Sequence, residues 1–438
     1  MIKVLLVTRD PLQGSLGGPG KYVPLLFESI KRHYLEGDIS ASACLGHRAV
    51  MFTPGTDVPP GSPEQAAPLS FYQRVKGALR RGFQYASRKT YVVTLLNRGV
   101  RNYQWRRQIE RVLATERPDL IHCHDFWSVF SLPHSFLVPV ILTNHYNGSL
   151  YRESVFPNCP ELRSPIWARH YRRIEGGAIC RARALILPSQ SALQLLIDDF
   201  KDLEPQIRAK AHVVYTGIED PLRAGSGLME TPRPESHAVV NVGSHIPVRG
   251  LETALRIFAE LRRRHPSWRF VNFGLHGSLT HSLRTLSQDL GIAEAVDFRG
   301  LRPNAEVLKA LLESVLVLHT PVRVVFDLCL LEAMSLGKAV VATNVTGNAE
   351  ALGTLYPLLV SPQGAALNDH QLAIIDNQQA LDALGMTLRR RYLSHFQPRN
   401  MAYAHAALWK RLVGATMCKP GRNLRPSPDP TPVEVNHE

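Results

Sequence analysis

The 438-residue chain contains no run of about 18 consecutive apolar residues, so no segment is expected to cross a bilayer as a helix. Its six cysteines, at positions 44, 123, 159, 180, 329 and 418, form no C-x-x-C pair and follow no regular spacing. That excludes a cysteine zinc site and a disulfide framework, and fits reduced thiols. A P-loop is missing as well. The stretch "QGSLGGPGKY" follows the apolar opening "MIKVLLVT" and ends in Gly20-Lys21, but Ser15 stands where the first glycine is required and Tyr22 where the magnesium-binding hydroxyl is required. Acidic residues are scarce, 37 against 51 Lys and Arg, giving a net charge of +14. Such a balance favours an anionic partner, whether phosphorylated substrate, membrane surface or nucleic acid. No nucleic-acid-binding motif accompanies the charge, so nucleic acid is not expected as a partner. The N-terminal apolar run is too short for a signal peptide and reads as a first strand, and a cytoplasmic protein is expected.

What is present is an alternation of short apolar runs with helix-like segments, the pattern of parallel α/β sheets. The first half has such runs at Ile2 to Thr8, Leu120 to His124, Val140 to Thr143, Leu185 to Leu187 and Val213 to Tyr215. A second series follows at Ala238 to Val242, Phe270 to Phe273, Val296 to Phe298, Val315 to Leu318, Ala339 to Ala342 and Leu358 to Val360. The fold class expected is therefore α/β, two tandem Rossmann-like doubly wound domains. Their boundaries are 1–218 and 238–397, joined by the Pro-, Gly- and charge-rich linker 219–237. A helix over 398–415 carrying Trp409 is expected to pack back on the first domain. The tail 416–438 has too much proline and too few apolar residues to pack, and is expected to be disordered.

The positive charge is concentrated. Between Arg74 and Arg111 stand eleven Lys and Arg against one acid, Glu110, interleaved with Phe83, Tyr85, Tyr91, Tyr103 and Trp105. Two readings stay open for this segment: a helix lying on an anionic membrane surface, and a solvated helix face with ordinary core contacts.

Chemistry concentrates in the second half. "VVNVGSHIPVRGLETALRIFAEL" reads as a strand, a turn through Gly243, and Arg249-Gly250 leading into a helix, where helix amides and a cation together suit a diphosphate. "VVFDLCLLEAMSLGKAVVATNVTGNAEAL" places Glu332 in a short helix between buried strands, at the carboxyl edge where parallel sheets bind ligands. No carboxylate cluster of the magnesium-binding type is evident.

Together with "PDLIHCHD", these segments resemble the retaining, nucleotide-sugar glycosyltransferases of GT-B fold known as family 4, over roughly residues 1–415. The resemblance implies two domains facing a cleft and transfer of a sugar from a nucleotide sugar. The acceptor implied is lipid-linked or saccharide, in cell-surface polysaccharide or glycolipid synthesis. No cofactor or metal is implied. It places Gly243, Ser244, Arg249, Asp327, Leu328, Glu332 and Glu350 at the donor, and Gly17, Gly18, Gly20 and Lys21 in an acceptor-side cleft loop. It assigns catalysis to Arg249, His124 and His145. With residues 74–111, it implies a peripheral location on the inner face of the cytoplasmic membrane.

Two positions depart from the family pattern. Ser244 replaces one of two donor-site cations, leaving Arg249, which can still hold phosphate bidentately. Val324 replaces the first of two glutamates eight positions apart, the one that contacts sugar hydroxyls; Asp327, at a glycine position, is expected to reach the sugar instead. These changes also leave open a glycosyltransferase-like binding or regulatory subunit without catalysis.

Overall fold

The computed structural model describes residues 2–9, 19–33, 39–45, 48–50, 91–133, 135–156, 159, 162–223, 237–362 and 366–417. Gly17 and Gly18, residues 74–90 of the basic segment, most of the 219–237 linker and nearly all of the tail lie outside them.

Two sheets are built from the apolar runs. The first contains β1 (Ile2–Thr8), β2 (Ile39–Leu45), β3 (Arg48–Val50), β4 (Leu120–Cys123), β5 (Val140–Thr143), β6 (Ala184–Leu187) and β7 (Ala211–Val213). Their order is β3-β2-β1-β4-β5-β6-β7. All neighbours pair in parallel except β2 with β3. The second contains β8 (Ala238–Val242), β9 (Arg269–Phe273), β10 (Val296–Phe298), β11 (Leu316–His319), β12 (Val340–Thr343) and β13 (Leu359–Val360). It is parallel throughout, in the order β10-β9-β8-β11-β12-β13. In both sheets the winding reverses beside the first strand, between β1 and β4 and between β8 and β11. The crevice left at such a reversal, beyond the carboxyl ends of the strands, is where doubly wound sheets take ligands.

Central strands such as β4, β5, β11 and β12 are buried along their whole length, which is why they read as unbroken apolar runs. The β2–β3 hairpin was not expected, because "ISASACL" alternates small and polar residues with few large apolar ones. Amphipathic helices cover the sheets. Helix Leu251–Arg264 buries Leu251, Ala254, Leu255, Ile257, Phe258 and Leu261, and ends in three arginines that complement the helix dipole.

The last helix, Pro398–Met417, crosses back to the first domain. Its Met401, Ala402, Ala406, Leu408, Trp409 and Val413 share a core with Val4 and Leu6 of β1 and with Val23, Leu26 and Ile30 of helix Pro19–His33. Gly20 and Lys21 fall in the first turn of that helix.

Helix Tyr91–Glu116 supplies the core contacts of the second reading. Trp105 is only 1% exposed and packs with Ile109, Val112 and Leu113 in the core of the first domain. The charged residues Arg106, Arg107 and Arg111 point outward, and Arg106 and Arg107 pair with Glu110. Among the described residues, no helix is long and apolar enough to cross a membrane.

Candidate functional site

The turn after β8 is shaped by a close approach of backbone. Gly250 adopts φ 60°, and a Cβ on it would lie 1.8 Å from the Thr320 carbonyl oxygen at the end of β11. Only glycine fits there. The fit draws the Pro247–Arg249 turn against the neighbouring strand end and holds Arg249 over the crevice. Helix Leu251–Arg264 starts at Gly250 with no side chain capping its first amides. From the β11 side, helix Leu328–Ser335 starts at Asp327, whose carboxylate does not cap it.

A cavity of about 350 Å³ opens between these turns. Six of the seven expected donor residues line it: Gly243, Ser244, Arg249, Asp327, Leu328 and Glu332. Val324 lines it too, as do Arg302 and Arg323. Its opposite wall comes from the first domain, through Asn147 and Glu153. The Arg323 Nη2 donates to the Asn147 carbonyl oxygen at 2.6 Å, bridging the domains at the cavity.

Inside the cavity, Arg249 donates to the Asp327 carboxylate. Burial raises the Asp327 carboxyl, but the Arg249 guanidinium and His319 outweigh it and hold the group below its ordinary value. Asp327 in turn raises the Arg249 pKa above its usual value. Asp327 thus gives its Oδ2 to Arg249 while its side chain lines the cavity. Burial lowers His319 to about 4, opposed by Asp327. Among the described residues one set of metal-type side chains converges, His319, Asp327 and Cys329, with ligand atoms within 4.8 Å of one another. The Arg249 cation already occupies Asp327.

Glu350 is placed elsewhere than expected. It does not line the cavity; its carboxylate accepts from the Gln190 amide at 2.7 Å, the Ser191 amide at 3.0 Å and the Tyr215 hydroxyl at 3.0 Å. A carboxylate at the N-terminus of helix Gln190–Asp199 is favoured by the helix dipole, so Glu350 ties the second domain to the first. Ser189 reinforces the junction by donating to the Val325 carbonyl oxygen at 2.9 Å. Glu350→Ala is expected to cost about 1.5 to 3 kcal/mol of stability. Urea unfolding would measure it, and an unchanged midpoint and slope would contradict the latch.

His124 and His145 also stand outside the cavity, at the reversal point of the first sheet. His124 Nδ1 lies 3.2 Å from His145 Nε2, and His122 Nε2 lies 2.7 Å from the Thr143 hydroxyl. The His405 Nδ1–H donates to the Met401 carbonyl oxygen at 2.8 Å, so its Nε2 accepts from the Tyr22 hydroxyl at 3.1 Å. The four imidazoles and Tyr22 form one ring cluster under the last helix, buried except for the half-buried His145. Burial drives every one of these imidazoles toward the neutral form, His145 to about 3 and His405 to about 4, with His122 and His124 well below 6.5.

Sequence reasoning missed Asn147, Glu153, Arg302 and Arg323. Asn147 stands two positions after His145, so the strand end was found but the cavity residue beside it was not.

Residues 41–220 match the family described as Glycosyltransferase Family 4, and residues 230–391 match Glycosyl transferases group 1. No curated protein matches in sequence. Among solved structures, sucrose-phosphate synthase from Thermosynechococcus elongatus is 18% identical, covering 95% of this chain and 100% of its own, with a TM-score of 0.65. A glycosyltransferase from Rickettsia africae is 12% identical over 94% of this chain and 98% of its own, with a TM-score of 0.61. HepE from Anabaena, solved with UDP and glucose, is 15% identical over 93% of this chain and 99% of its own, with a TM-score of 0.55. At such identities these likenesses concern the fold.

Proposed function

The chain belongs to the GT-B glycosyltransferases of the family 4 and group 1 type, and from that premise we propose that it transfers sugar with retention of anomeric configuration. The acceptor in this reading is a lipid-linked or saccharide precursor of surface polysaccharide or glycolipid. Enzyme class and nucleotide-sugar donor follow from the family; stereochemistry, acceptor and the roles of single residues are our reading.

The observation that carries it is the cavity between the domains, where Arg249 stands beside an uncapped helix N-terminus. As the bond from the anomeric carbon to the diphosphate breaks, negative charge grows on the leaving oxygen. A fixed cation and helix amides stabilise that charge without reorganising. Glu332 is assigned to the nucleotide side. The acceptor hydroxyl enters from the first domain, attacks on the face the diphosphate leaves, and gives up its proton to the departing phosphate oxygen.

A thermal-shift panel of uridine, guanosine and adenosine diphosphate sugars tests the donor site. Uridine donors come first, since HepE was solved with UDP and with UDP-glucose. At 100 times its dissociation constant the true donor stabilises the fold by about 2.7 kcal/mol. Proton NMR of the first-formed product then reads the anomer; an inverted product would end the retaining assignment. Stabilisation without turnover on any acceptor would favour the non-catalytic subunit. We place the protein on an anionic membrane surface through residues 74–111, where Arg106, Arg107 and Arg111 point outward; binding to anionic vesicles that survives high salt, or never occurs, would refute that placement.

A further inference from the structure

Two acceptor-bearing side chains of the first domain face the donor cavity, and neither belongs to any donor motif. Glu153 lies in the π-helical turn Tyr151–Val155, and its carboxylate is held at both oxygens by one residue. The Asn147 amide nitrogen donates to Oε2 at 2.5 Å, and the Asn147 Nδ2 donates to Oε1 at 2.6 Å. Because a carboxylate can only accept, this contact fixes which end of the Asn147 amide is nitrogen. The other end, Oδ1, is therefore an acceptor, and it is buried without a hydrogen-bond partner although Asn147 is only 6% exposed and lines the cavity. The pair is anchored from across the cleft by Arg323, which donates to the Asn147 carbonyl oxygen.

This corner therefore holds three acceptor oxygens, two bonded to Asn147 and one, the Asn147 Oδ1, buried with no partner, so what it lacks is a hydrogen-bond donor. We infer that Asn147 and Glu153 read the hydroxyl groups of the donor sugar, supplying from the first domain the carboxylate that position 324 lacks. The inference rests on the nucleotide-sugar reading of the same cavity. Asp327 already gives one of its two carboxylate oxygens to Arg249. Burial raises the Glu153 carboxyl, opposed by its bonds to Asn147 and by Arg323 and Arg249. An acceptor-rich corner selects a class of donor: neutral sugars with free hydroxyls fit it, while uronic acids would set carboxylate against carboxylate.

The test is isothermal titration of the full chain and its Glu153→Gln variant with UDP, GDP and ADP and with their neutral and uronic-acid sugar conjugates. For the nucleotide that wild type binds, E153Q is expected to lose about tenfold or more in affinity for the neutral sugar conjugate. Its affinity for the bare diphosphate should stay equal or rise, because a negative charge has left the cavity. Retained diphosphate binding also certifies the fold. Should E153Q not fold, E153D, which withdraws the oxygens by one methylene, reads the same split. Equal losses for diphosphate and conjugate, no loss for either, or a wild-type preference for the uronic acid would overturn the role of Glu153 alone. Wild-type protein that binds no diphosphate and no conjugate would overturn the donor site itself, and the sugar corner with it.

Discussion

Turnover by an Arg249→Ala variant is expected to fall about 100- to 1,000-fold, the usual cost of removing one preorganised group that stabilises transition-state charge. His145→Ala should cost far less, because His145 stands in the ring cluster and not in the donor cavity. Arg249 carries a second, separable effect. Its partner Asp327 has a side chain only 14% exposed, and removing the cation leaves that carboxylate largely buried and unpaired. Breaking a fully buried pair costs about 3 to 5 kcal/mol of stability, and the 34% exposure of the Arg249 side chain puts this one below that range. The double variant Arg249→Ala/Asp327→Asn removes the stranded charge, so it should regain most of the stability and none of the turnover. Steady-state kinetics with urea unfolding on the two variants separates these effects. Equal, small kinetic losses from Arg249→Ala and His145→Ala would count against the site.

Stability should also fall steeply between pH 7 and pH 5.5. His122, His124 and His405 are buried together with His145 half-buried beside them and Tyr22, Thr143 and Trp409 against them, and among the described residues no carboxylate pairs with any of the four. Each is held neutral, with a pKa below the ordinary 6.5. The unfolded chain binds these protons as pH drops through 6.5, and the folded chain does not, so stability is complete above that value and is lost below it. The loss is about 1.4 kcal/mol per histidine for each pH unit. Four histidines give an upper bound of roughly 5 kcal/mol at pH 5.5, a large part of a typical domain's stability. Unfolding free energies at the two pH values check this, and a His405→Asn variant should show a shallower dependence. A stability that holds level from pH 7.5 to pH 5.5 would contradict the buried, neutral cluster.

What could be read in the sequence follows how local the information is. The buried strands announce themselves, because a strand covered on both faces must be apolar throughout. Ile39–Leu45 does not, since its serines and alanines carry little apolar weight and its pairing with β1 supplies the order. The second-domain wall of the cavity was legible because Gly243 to Gly250 and Asp327 to Glu332 are two compact motifs at two strand ends. The first-domain wall was not. Arg323 and Asn147 are 176 positions apart, and no spacing rule joins them. Glu350 shows the converse: it belongs to a recognisable motif, yet the Thr346–Leu352 helix packs against the first domain and turns its carboxylate onto a helix end there.

The proposed function requires this cavity to split a nucleotide sugar. Release of free nucleoside diphosphate from a panel of UDP-, GDP- and ADP-sugars, followed with the full chain and with Arg249→Ala, tests it most directly. One nucleotide is expected to be released by the wild type, and about 100-fold more slowly by the variant. Release that is independent of Arg249, or none from any sugar nucleotide that the protein binds, would contradict it.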